Sequence, residues 1–322
     1  MENMENNNSN EYFSDNQVNA QRVGANLRQS LIENTKQAAR IAQNASFLDP
    51  SEKRDTILSG PTGIGKTENM NRAFAAIGYE KNKDYVCLSG DHSMTGFAIK
   101  LMMAHREFSL RKKEGETLIV MVDDCDSFFQ SKDARNKLKG MMGATGTREL
   151  QYNKLLPEHM LTDRQHATLE HYRNTDGSPG FSISCEDVAF VFTTNFVFPT
   201  ERQAKLELAK GLTNRALSFQ DLTAIRSRVN LKPFHMNMAT NWGWLAEVAL
   251  NDGLLDMMND LPDPDYSKYQ LLDFIATKWE QMTESNLRTV QSMGYLMKKH
   301  GNKARNYWNT DFIVQNQEMI TL

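Results

Sequence analysis

Gly60-Pro-Thr-Gly-Ile-Gly-Lys-Thr67 is the stretch that decides how this chain folds, and it comes directly after the short apolar run Thr56–Ser59. Its spacing fits G-x-x-x-x-G-K-[ST], in which glycines let backbone N–H groups converge on phosphate oxygens without clashes from Cβ atoms. The residues from Glu68 onward predict a helix, whose positively polarised start would face the same phosphates. The predicted phosphate-binding residues are Gly60, Pro61, Thr62, Gly63, Ile64, Gly65, Lys66, Thr67 and Glu68.

Lys66 and Thr67 have defined tasks in such a loop, because Lys66 would reach the β- and γ-phosphates and the Thr67 hydroxyl would bind Mg²⁺. A second motif, Thr117-Leu-Ile-Val-Met-Val-Asp-Asp124, is typical of a buried strand that ends in two carboxylates. Ligands of open α/β sheets bind at the carboxyl ends of the strands. We expect Asp123 to hold Mg²⁺ and Asp124 to orient or deprotonate the attacking water. On its own, an Asp-Asp pair after a strand would also fit a turn or a helix N-cap.

Short apolar runs alternate with helical segments between residues 51 and 232, and this alternation predicts the fold class. The expected strands are Thr56–Ser59, Tyr85–Ser89, Leu118–Val122, Val188–Thr194 and Val229–Phe234, and the helical segments between them lie near 67–78, 94–108, 129–142 and 203–228. Such alternation is typical of a parallel sheet covered on both faces, so we predict a three-layer α/β sandwich. The polar stretch 143–182 contains a Thr-Asp-Gly-Ser-Pro-Gly turn signal and predicts an insertion or a long loop.

The remaining segments complete the predicted domain organisation, in which the α/β domain covers residues 51–232. Residues 1–16 are rich in Asn and acidic side chains and predict a disordered tail, and residues 17–50 predict an N-terminal helical segment. After the α/β domain the strand signals stop, and an all-helical domain is predicted over residues 233–300. Its expected helices are Met238–Leu250, Tyr269–Gln281 and Ser285–His300, and residues 301–322 form a predicted C-terminal tail.

The composition of the whole chain excludes several classes of protein. Its 322 residues are 40% hydrophobic and 24% charged, which is incompatible with wholesale disorder. The longest clean apolar run is Leu118–Val122, far short of the ~20 residues that a membrane-spanning helix needs. Cys87, Cys125 and Cys185 lack a C-x-x-C spacing, which argues against a disulfide framework or a zinc site. We expect an intracellular, cytoplasmic protein without a secretory leader or a membrane partner.

Together the motifs resemble those of the AAA+ ATPases, a family of P-loop NTPases in which the first two are called Walker A and Walker B. A third motif, Val188-Ala-Phe-Val-Phe-Thr-Thr-Asn195, resembles the family's sensor 1 strand, whose last polar residue helps to position the lytic water. Asn195 is the matching residue here. Judged alone, an Asn at a strand end could instead satisfy a loop backbone. The resemblance covers about residues 50–300.

Two later segments resemble the parts of the family that carry functional arginines. Asp221-Leu-Thr-Ala-Ile-Arg-Ser-Arg-Val229 resembles the arginine-finger segment, in which Arg228 matches and Arg226 is the close alternative. Ser285-Asn-Leu-Arg-Thr-Val290 resembles sensor 2, in which Arg288 would contact phosphates from a helical lid. A surface ion pair for Arg228 and a solvated helix face for Arg288 remain as alternatives.

The resemblance implies ATP and Mg²⁺ as cofactors, ATP hydrolysis as the activity, and a lid over residues 233–300. If Arg228 acts as the family implies, it acts on the nucleotide of a neighbouring copy, so the chain would form a homo-oligomeric ring, in the family a hexamer. The single ATPase module and the Asn-rich start resemble stand-alone AAA+ proteins of phage or viral type, which would work in the host cytoplasm.

The sequence departs from the family at two places. The family usually has Asp-Glu where this chain has Asp123-Asp124, and the shorter side chain would place the carboxylate about 1.5 Å further from the water, which can cost on the order of 10²-fold in rate. Asp126 is a candidate substitute. The pore motif of protein unfoldases is not evident, because the loop Gly90–Phe97 offers only Met94 and Phe97, which fit core positions better.

These observations leave more than one function open. The leading hypothesis is an ATP-driven remodeller of a protein or nucleic-acid complex, with the substrate undetermined, and the second is an ATP-binding regulatory or scaffold subunit with weak hydrolysis. A kinase or GTPase fits less well, because the chain has no Asn-Lys-x-Asp guanine motif. Two basic clusters could face a substrate or could be solvated surfaces: Lys132, Arg135, Lys137 and Lys139, and Lys298, Lys299, Lys303 and Arg305 with Tyr307 and Trp308.

Overall fold

A five-stranded parallel sheet is the frame of the α/β part of this computed structural model. The strands, in chain order, are β1 (Thr56–Ser59), β2 (Tyr85–Ser89), β3 (Leu118–Asp123), β4 (Glu149–Tyr152), β5 (Phe181–Ser184), β6 (Val188–Thr194) and β7 (Asn230–Pro233). The parallel sheet has the order β2-β3-β6-β1-β7, and β4 and β5 form a separate antiparallel pair. The structure describes residues 12–49, 52–90, 93–143, 147–156, 159, 161–210 and 213–314. The predicted α/β fold class is confirmed.

The helices connect these strands and continue beyond the last one. In chain order they are α1 (Asp15–Gln43), α2 (Lys66–Ala76), α3 (Met94–Arg111), α4 (Asp126–Gln130), α5 (Lys132–Met141), α6 (Asp163–Tyr172), α7 (Glu201–Ala209), α8 (Thr213–Arg228), α9 (Met238–Asn251), α10 (Pro264–Lys278), α11 (Leu287–His300) and α12 (Ala304–Asp311). Two of the predicted helical segments are each split, 129–142 into α4 and α5 and 203–228 into α7 and α8.

The chain divides into two compact units. The α/β unit comprises Asn34–Gly60 and Lys66–Phe234. The helical unit comprises Met1–Glu33, Pro61–Gly65 and His235–Leu322, so that α1 contributes residues to both units. Five residues of the phosphate-loop motif are thus grouped with the helical residues.

Apolar side chains of the central strands form the core of the α/β unit. Every residue of β1 and of β6 is buried, as expected for interior strands of a parallel sheet. Helix residues join the same core, and the ring of Phe97 meets that of Phe128 edge-to-face at 5.1 Å. Phe97 is fully buried, so it is a core residue, as its position in the motif indicated. Residues 91 and 92 of the same loop lie outside the described residues.

The predicted insertion 143–182 is an ordered element. β4 and β5 pair antiparallel with Glu149 opposite Ser184, and α6 lies between them in sequence. α6 is held against α3, because the hydroxyl of Tyr172 lies 2.7 Å from Nδ1 of His105. A Cβ atom on Gly180 would lie 1.7 Å from the carbonyl oxygen of Tyr152, so this position of the hairpin requires glycine.

A buried ion pair joins this insertion to the parallel sheet. The guanidinium of Arg148 donates to the carboxylate of Asp55 at 2.6 Å, and the two side chains are 3% and 2% exposed. Its other nitrogens donate to the carbonyl oxygens of Met141 and Val188, and Asp55 also accepts from the backbone N–H of Phe190. Because the charges are both paired and hydrogen-bonded, they can be buried; removing one partner of such a pair typically costs about 3–5 kcal/mol.

Close packing of two helix backbones organises the helical unit. A Cβ atom on Gly24 of α1 would lie 2.2 Å from the carbonyl carbon of Gly243 of α9. Arg28, one turn further along α1, forms ion pairs with Glu247 at 3.2 Å and with Asp252. The two glycines therefore allow an approach that any side chain would prevent, and the arginine adds a polar contact beside it.

Residues inside both predicted tails are packed against the helical unit. Phe13 is buried and Tyr12 stacks on Tyr269 at 4.7 Å, so residues 12–16 belong to the fold rather than to a disordered tail. At the other end, the indole N–H of Trp308 donates to the carbonyl of Met293 at 3.1 Å, which attaches α12 to α11. The rest of the two predicted tails, residues 1–11 and 315–322, lies outside the described residues.

The composition also led to expectations about disulfide bonds and about membrane-spanning helices. Cys87, Cys125 and Cys185 are free thiols, and the latter two are buried. Within the described part of the chain, none of the helices combines the length and the apolar character that crossing a membrane requires.

Replacing Gly243 by Ala should destabilise the protein, since the new methyl group would lie 1.8 Å from the carbonyl oxygen of Ala20. Overpacking of this kind costs about 1–3 kcal/mol, which denaturant unfolding would detect. The matched control is Gly96→Ala in α3, where the nearest atom would lie at an ordinary 3.5 Å. The control should be neutral or stabilising by up to about 1 kcal/mol, because alanine favours helix. Equal unfolding midpoints for both variants would contradict the close helix crossing.

Candidate nucleotide-binding site

The phosphate-loop motif connects β1 to α2 and has the backbone that its glycines predict. Gly63 and Gly65 have φ values of 77° and 82°, in the left-handed region that side chains with a Cβ atom rarely occupy. The loop begins where Gly60 donates its N–H to the carbonyl of Thr194, the last residue of β6. The start of α2, at Lys66, thereby follows directly from the carboxyl edge of the sheet.

Lys66 is buried at this edge and its ammonium group is surrounded by oxygen atoms. The Nζ atom lies 2.9 Å from the carbonyl oxygen of Gly60 and 2.9 Å from Oδ1 of Asn195. Burial lowers the pKa of the amine to about 8, although the charges of Asp124, Asp126 and Asp123 oppose this change. The residue is only 7% exposed. A cation held in this way can exchange its oxygen partners for phosphate oxygens, which carry more charge.

Asp123, at the end of β3, is hydrogen-bonded both to the end of the phosphate-loop motif and to β6. Its Oδ1 atom accepts a hydrogen bond from the hydroxyl of Thr67 at 2.6 Å and a second one from the hydroxyl of Thr193. The predicted metal ligands Thr67 and Asp123 are therefore in direct contact. The bond from Thr193 to Asp123 follows from the register of β3 and β6, because the residues before them, Phe192 and Val122, are paired.

Asp126, three positions after Asp123 and the first residue of α4, holds the end of β6. Its Oδ1 atom accepts from the backbone N–H of Asn195 at 2.8 Å and from the hydroxyl of Thr194. These bonds orient the Asn195 side chain that contacts Lys66. This geometry favours a positioning role for Asp126 over the alternative in which it replaces Asp124 as a base.

Asp124 lies between these two carboxylates and differs from both. It is exposed, and its φ of 53° places it in the left-handed region. Among the carboxylates that oppose the lowered pKa of Lys66, Asp124 has the largest effect. The carboxylate of Asp124 is therefore exposed at the strand edge, on a backbone conformation that few residues with a Cβ atom adopt.

The donor set around Asp123 fits Mg²⁺ bound together with phosphates. Carboxylate and hydroxyl oxygens are hard ligands, and Mg²⁺ in nucleotide sites uses one or two carboxylates while phosphates and water complete its octahedron. The described residues contain no group of three or more His, Cys, Asp or Glu side chains able to hold a metal by themselves. Thr67 and Asp123 could therefore hold the ion only in combination with a phosphate-bearing ligand.

The two candidate arginine fingers, Arg228 and Arg226, differ in exposure and in hydrogen bonding. Arg228 is half-buried and donates from Nη1 to the carbonyl of Ala224, one turn earlier in its own helix, at 2.6 Å. Arg226 is exposed and lines a cavity of about 890 Å³ that also contains Lys53, Arg202 and Lys205. Neither arginine takes part in the hydrogen bond between Lys66 and Asn195 or in the one between Thr67 and Asp123.

The two remaining predicted site residues are at helix starts. Arg288 is exposed at the second position of α11, whose N-cap Asn286 accepts from the backbone of Thr289. Within the helical unit, a Cβ atom on Gly63 would lie 2.6 Å from Cβ of Asn286. The loop residue Gly63 thus lies against the segment that begins the Arg288 helix. Glu68 is exposed and pairs with Arg72 on α2 at 2.8 Å.

The chain was compared with known families, curated proteins and solved structures. No family model matches this sequence, and no curated protein matches it. Among solved structures, domain III of the replication initiation protein DnaA from Thermotoga maritima aligns over 95% of this chain and 96% of its own, at 12% identity. The TM-score of that alignment is 0.37, which is too low for an inference about function.

The structure adds residues that the motif analysis did not assign. Thr193 and Thr194 direct their hydroxyls to Asp123 and Asp126, respectively. The sequence contains a signal for them, because two hydroxyl residues at the end of an otherwise apolar run stand out. Which carboxylate each hydroxyl would contact depended on strand order, which the sequence did not show.

The lowered pKa of Lys66 predicts a pH-dependent affinity for phosphate ligands. The amine is charged below a pKa of about 8 and neutral above it, so raising the pH from 7.5 to 9 should weaken ADP binding about eightfold. Binding should also take up protons at pH 8.5, because bound phosphates stabilise the ammonium form. Calorimetry in buffers of different ionisation enthalpy measures both effects.

The control for this prediction is Lys66→Arg, whose guanidinium stays charged over the whole pH range. Its ADP binding, measured in the same way, should show no proton uptake. Constant affinity of the native chain between pH 7.5 and pH 9, with no proton uptake, would contradict the burial of a titrating amine at this site.

Proposed function

We propose that this chain is a Mg²⁺-dependent ATPase of the AAA+ type that works as a homo-oligomeric ring, a hexamer in the family it resembles, and remodels a protein or nucleic-acid complex. The observation that carries the proposal is the buried ammonium of Lys66, 2.9 Å from Asn195, beside the contact between Thr67 and Asp123. Lysine, hydroxyl, carboxylate and amide are the groups that ATP hydrolysis needs, and they meet at one edge of a parallel sheet.

Each group has a task that follows from its position. Lys66 would bind the β- and γ-phosphate oxygens, and the amide of Asn195, released from Lys66 by the phosphates, would be free to orient a water molecule. Thr67 and Asp123 would hold Mg²⁺, which neutralises charge that develops on the phosphate oxygens. Asp124, exposed and next to this centre, would accept the proton of the attacking water.

The supporting arginines are proposed to act from the lid and from a neighbouring copy. Arg288 belongs to the helical unit, in which Gly63 of the phosphate loop contacts Asn286. An arginine supplied in trans stabilises charge in the transition state of phosphoryl transfer. Arg226 is the better candidate of the two, since it is exposed beside three other cations, whereas Arg228 donates to its own helix.

This function also gives the predicted segments their roles. Residues 51–232 would be the ATPase domain and residues 233–300 the lid, with 143–182 inserted between the acidic strand and sensor 1. Because ATP is an intracellular nucleotide, such an enzyme would act in the cytoplasm, which is the host cytoplasm if the chain is of phage or viral origin.

A second candidate function is an ATP-binding regulatory or scaffold subunit with weak hydrolysis. Two observations favour it: the catalytic position Asp124 carries the shorter acid, and the guanidinium of Arg228 is engaged within its own helix. In this case nucleotide binding would control assembly rather than supply mechanical work.

ATP turnover of three variants tests the assignment. Lys66→Ala should abolish ATP binding, and Asp124→Asn should keep binding but lose about 10²-fold or more in rate, the usual effect of removing a general base. The control is Asp133→Asn, which removes an exposed carboxylate paired with Lys137. If the native chain binds ATP without turnover above the Lys66→Ala background, the scaffold function is correct. If Asp124→Asn matches the native rate, Asp124 is not the base.

Arg226→Ala and Arg228→Ala test whether an arginine acts in trans. The acting residue should lose on the order of 10³-fold in rate, while light scattering shows an unchanged oligomer. Arg202→Ala, which removes another cation from the same cavity, serves as the control. Mixing the inactive arginine variant with Lys66→Ala subunits should restore activity, because each supplies what the other lacks. Full activity of both arginine variants in an intact oligomer would refute the trans arrangement.

A further inference from the structure

The segment from Ser285 to Thr310 is unusual in its charge. It contains five basic residues, Arg288, Lys298, Lys299, Lys303 and Arg305, and no Asp or Glu. The whole chain has a formal net charge of -3, so this basic segment is a local feature. A concentration of positive charge on one surface predicts an anionic partner.

α11 presents part of this segment on one face. Its buried side comprises Thr289, Val290, Met293, Gly294 and Met297. Tyr295 and Lys299 are four positions apart and therefore share the other side, where both are exposed, Tyr295 to 56%. An aromatic ring and an ammonium group thus lie next to each other on the outer surface of the helix.

α12 packs against the buried side of α11, which includes Met293. Trp308 anchors the helix, since it is 1% exposed and its indole N–H donates to Met293. The neighbouring ring of Tyr307 is 42% exposed and stacks on the imidazole of His300, with centroids 4.1 Å apart and planes 25° from parallel. Trp308 is therefore unavailable to a ligand, contrary to the stacking surface that the sequence indicated, and Tyr307 with His300 supplies that surface.

The cations beside these rings are available. Lys298 pairs with Asp260 at 2.8 Å. Lys299, Lys303 and Arg305 are exposed, and none of these three forms an ion pair within the described ranges of the chain. Lys299 directly precedes His300, and Lys303 and Arg305 lie between His300 and Tyr307 in sequence, so three unpaired cations are close in sequence to the stacked rings.

The geometry points to single-stranded nucleic acid as the partner of a basic aromatic strip, defined as Lys299, His300, Lys303, Arg305 and Tyr307. An exposed tyrosine stacked on a histidine lies among unpaired cations, a combination used by proteins that bind single strands by stacking bases and neutralising phosphates. In a duplex the faces of the bases are stacked on one another and cannot reach Tyr307. An acidic protein would neutralise the cations but offers no bases to stack on the tyrosine ring. The inference involves no step of ATP hydrolysis and holds whether or not the chain is an ATPase.

Fluorescence anisotropy of a labelled 20-residue oligothymidylate, with the full chain and no nucleotide, tests the inference. We expect binding that weakens as salt rises and that exceeds binding to a 20-base-pair duplex at least about tenfold. Tyr307→Ala should weaken binding about 5- to 100-fold, the effect of losing one stacked base, while Tyr307→Phe should keep it. Lys299→Ala/Lys303→Ala/Arg305→Ala should reduce the logarithmic salt slope by about 2.

Two matched variants control for general effects. Tyr266→Ala removes a tyrosine of similar exposure, 46%, from α10 of the same unit. Lys83→Ala/Arg111→Ala/Lys113→Ala removes three exposed cations of the α/β unit, so it changes the net charge by the same amount. Both controls should bind like the native chain, and far-ultraviolet circular dichroism should show that all variants are folded.

Four results would overturn the inference. They are the absence of binding to the oligothymidylate, equal losses in the strip and control variants, a preference for the duplex, and displacement of the oligothymidylate by polyglutamate at equal charge concentration. The last result would identify the partner as an acidic protein. Because no nucleotide is present, none of these results depends on whether the chain hydrolyses ATP.

Discussion

Burying the ammonium of Lys66 obliges the protein to supply oxygen atoms around it, since an unpaired charge in the interior costs several kcal/mol. The end of β1 supplies the carbonyl of Gly60, the end of β6 supplies Asn195, and the end of β3 supplies nearby carboxylates. Three strands can do this only because β3, β6 and β1 are neighbours in a parallel sheet. The rest of the candidate site depends on this requirement: Thr67 meets Asp123, and Asp126 holds the backbone of Asn195.

A second buried cation stabilises the opposite end of the same strands, where Arg148 meets Asp55 just before β1 and the carbonyl of Val188 at the start of β6. The two cations are bound for different purposes. Arg148 has charged and neutral partners in a planar arrangement and fixes the insertion to the sheet. Lys66 donates to a carbonyl oxygen and to an amide oxygen, and both bind an ammonium group more weakly than a phosphate oxygen does. One end of the sheet thus carries a structural ion pair, and the other end carries the candidate nucleotide-binding site.

Much of the fold could be predicted because buried strands are unbroken apolar runs; Thr56–Ser59 and Val188–Thr194 coincide with the strands observed. The hairpin β4–β5 could not be predicted, because its stretch is polar and its stability comes from contacts such as Arg148 with Asp55, which are 93 positions apart. Motif spacing selected Lys66, Thr67, Asp123 and Asn195, and their roles remain predictions. The task of Asp126 in holding Asn195 depended on three-dimensional neighbours that spacing does not reveal.

The left-handed backbone at position 124 suits an aspartate better than the glutamate that the resemblance to AAA+ proteins leads one to expect there. Among residues with a Cβ atom, Asp and Asn tolerate a φ near 53° best, because their short polar side chains can hydrogen-bond locally. A glutamate there would regain reach but would raise the conformational energy of the turn between β3 and α4. Lengthening the acid at position 124 would therefore also require a change in the turn that carries it.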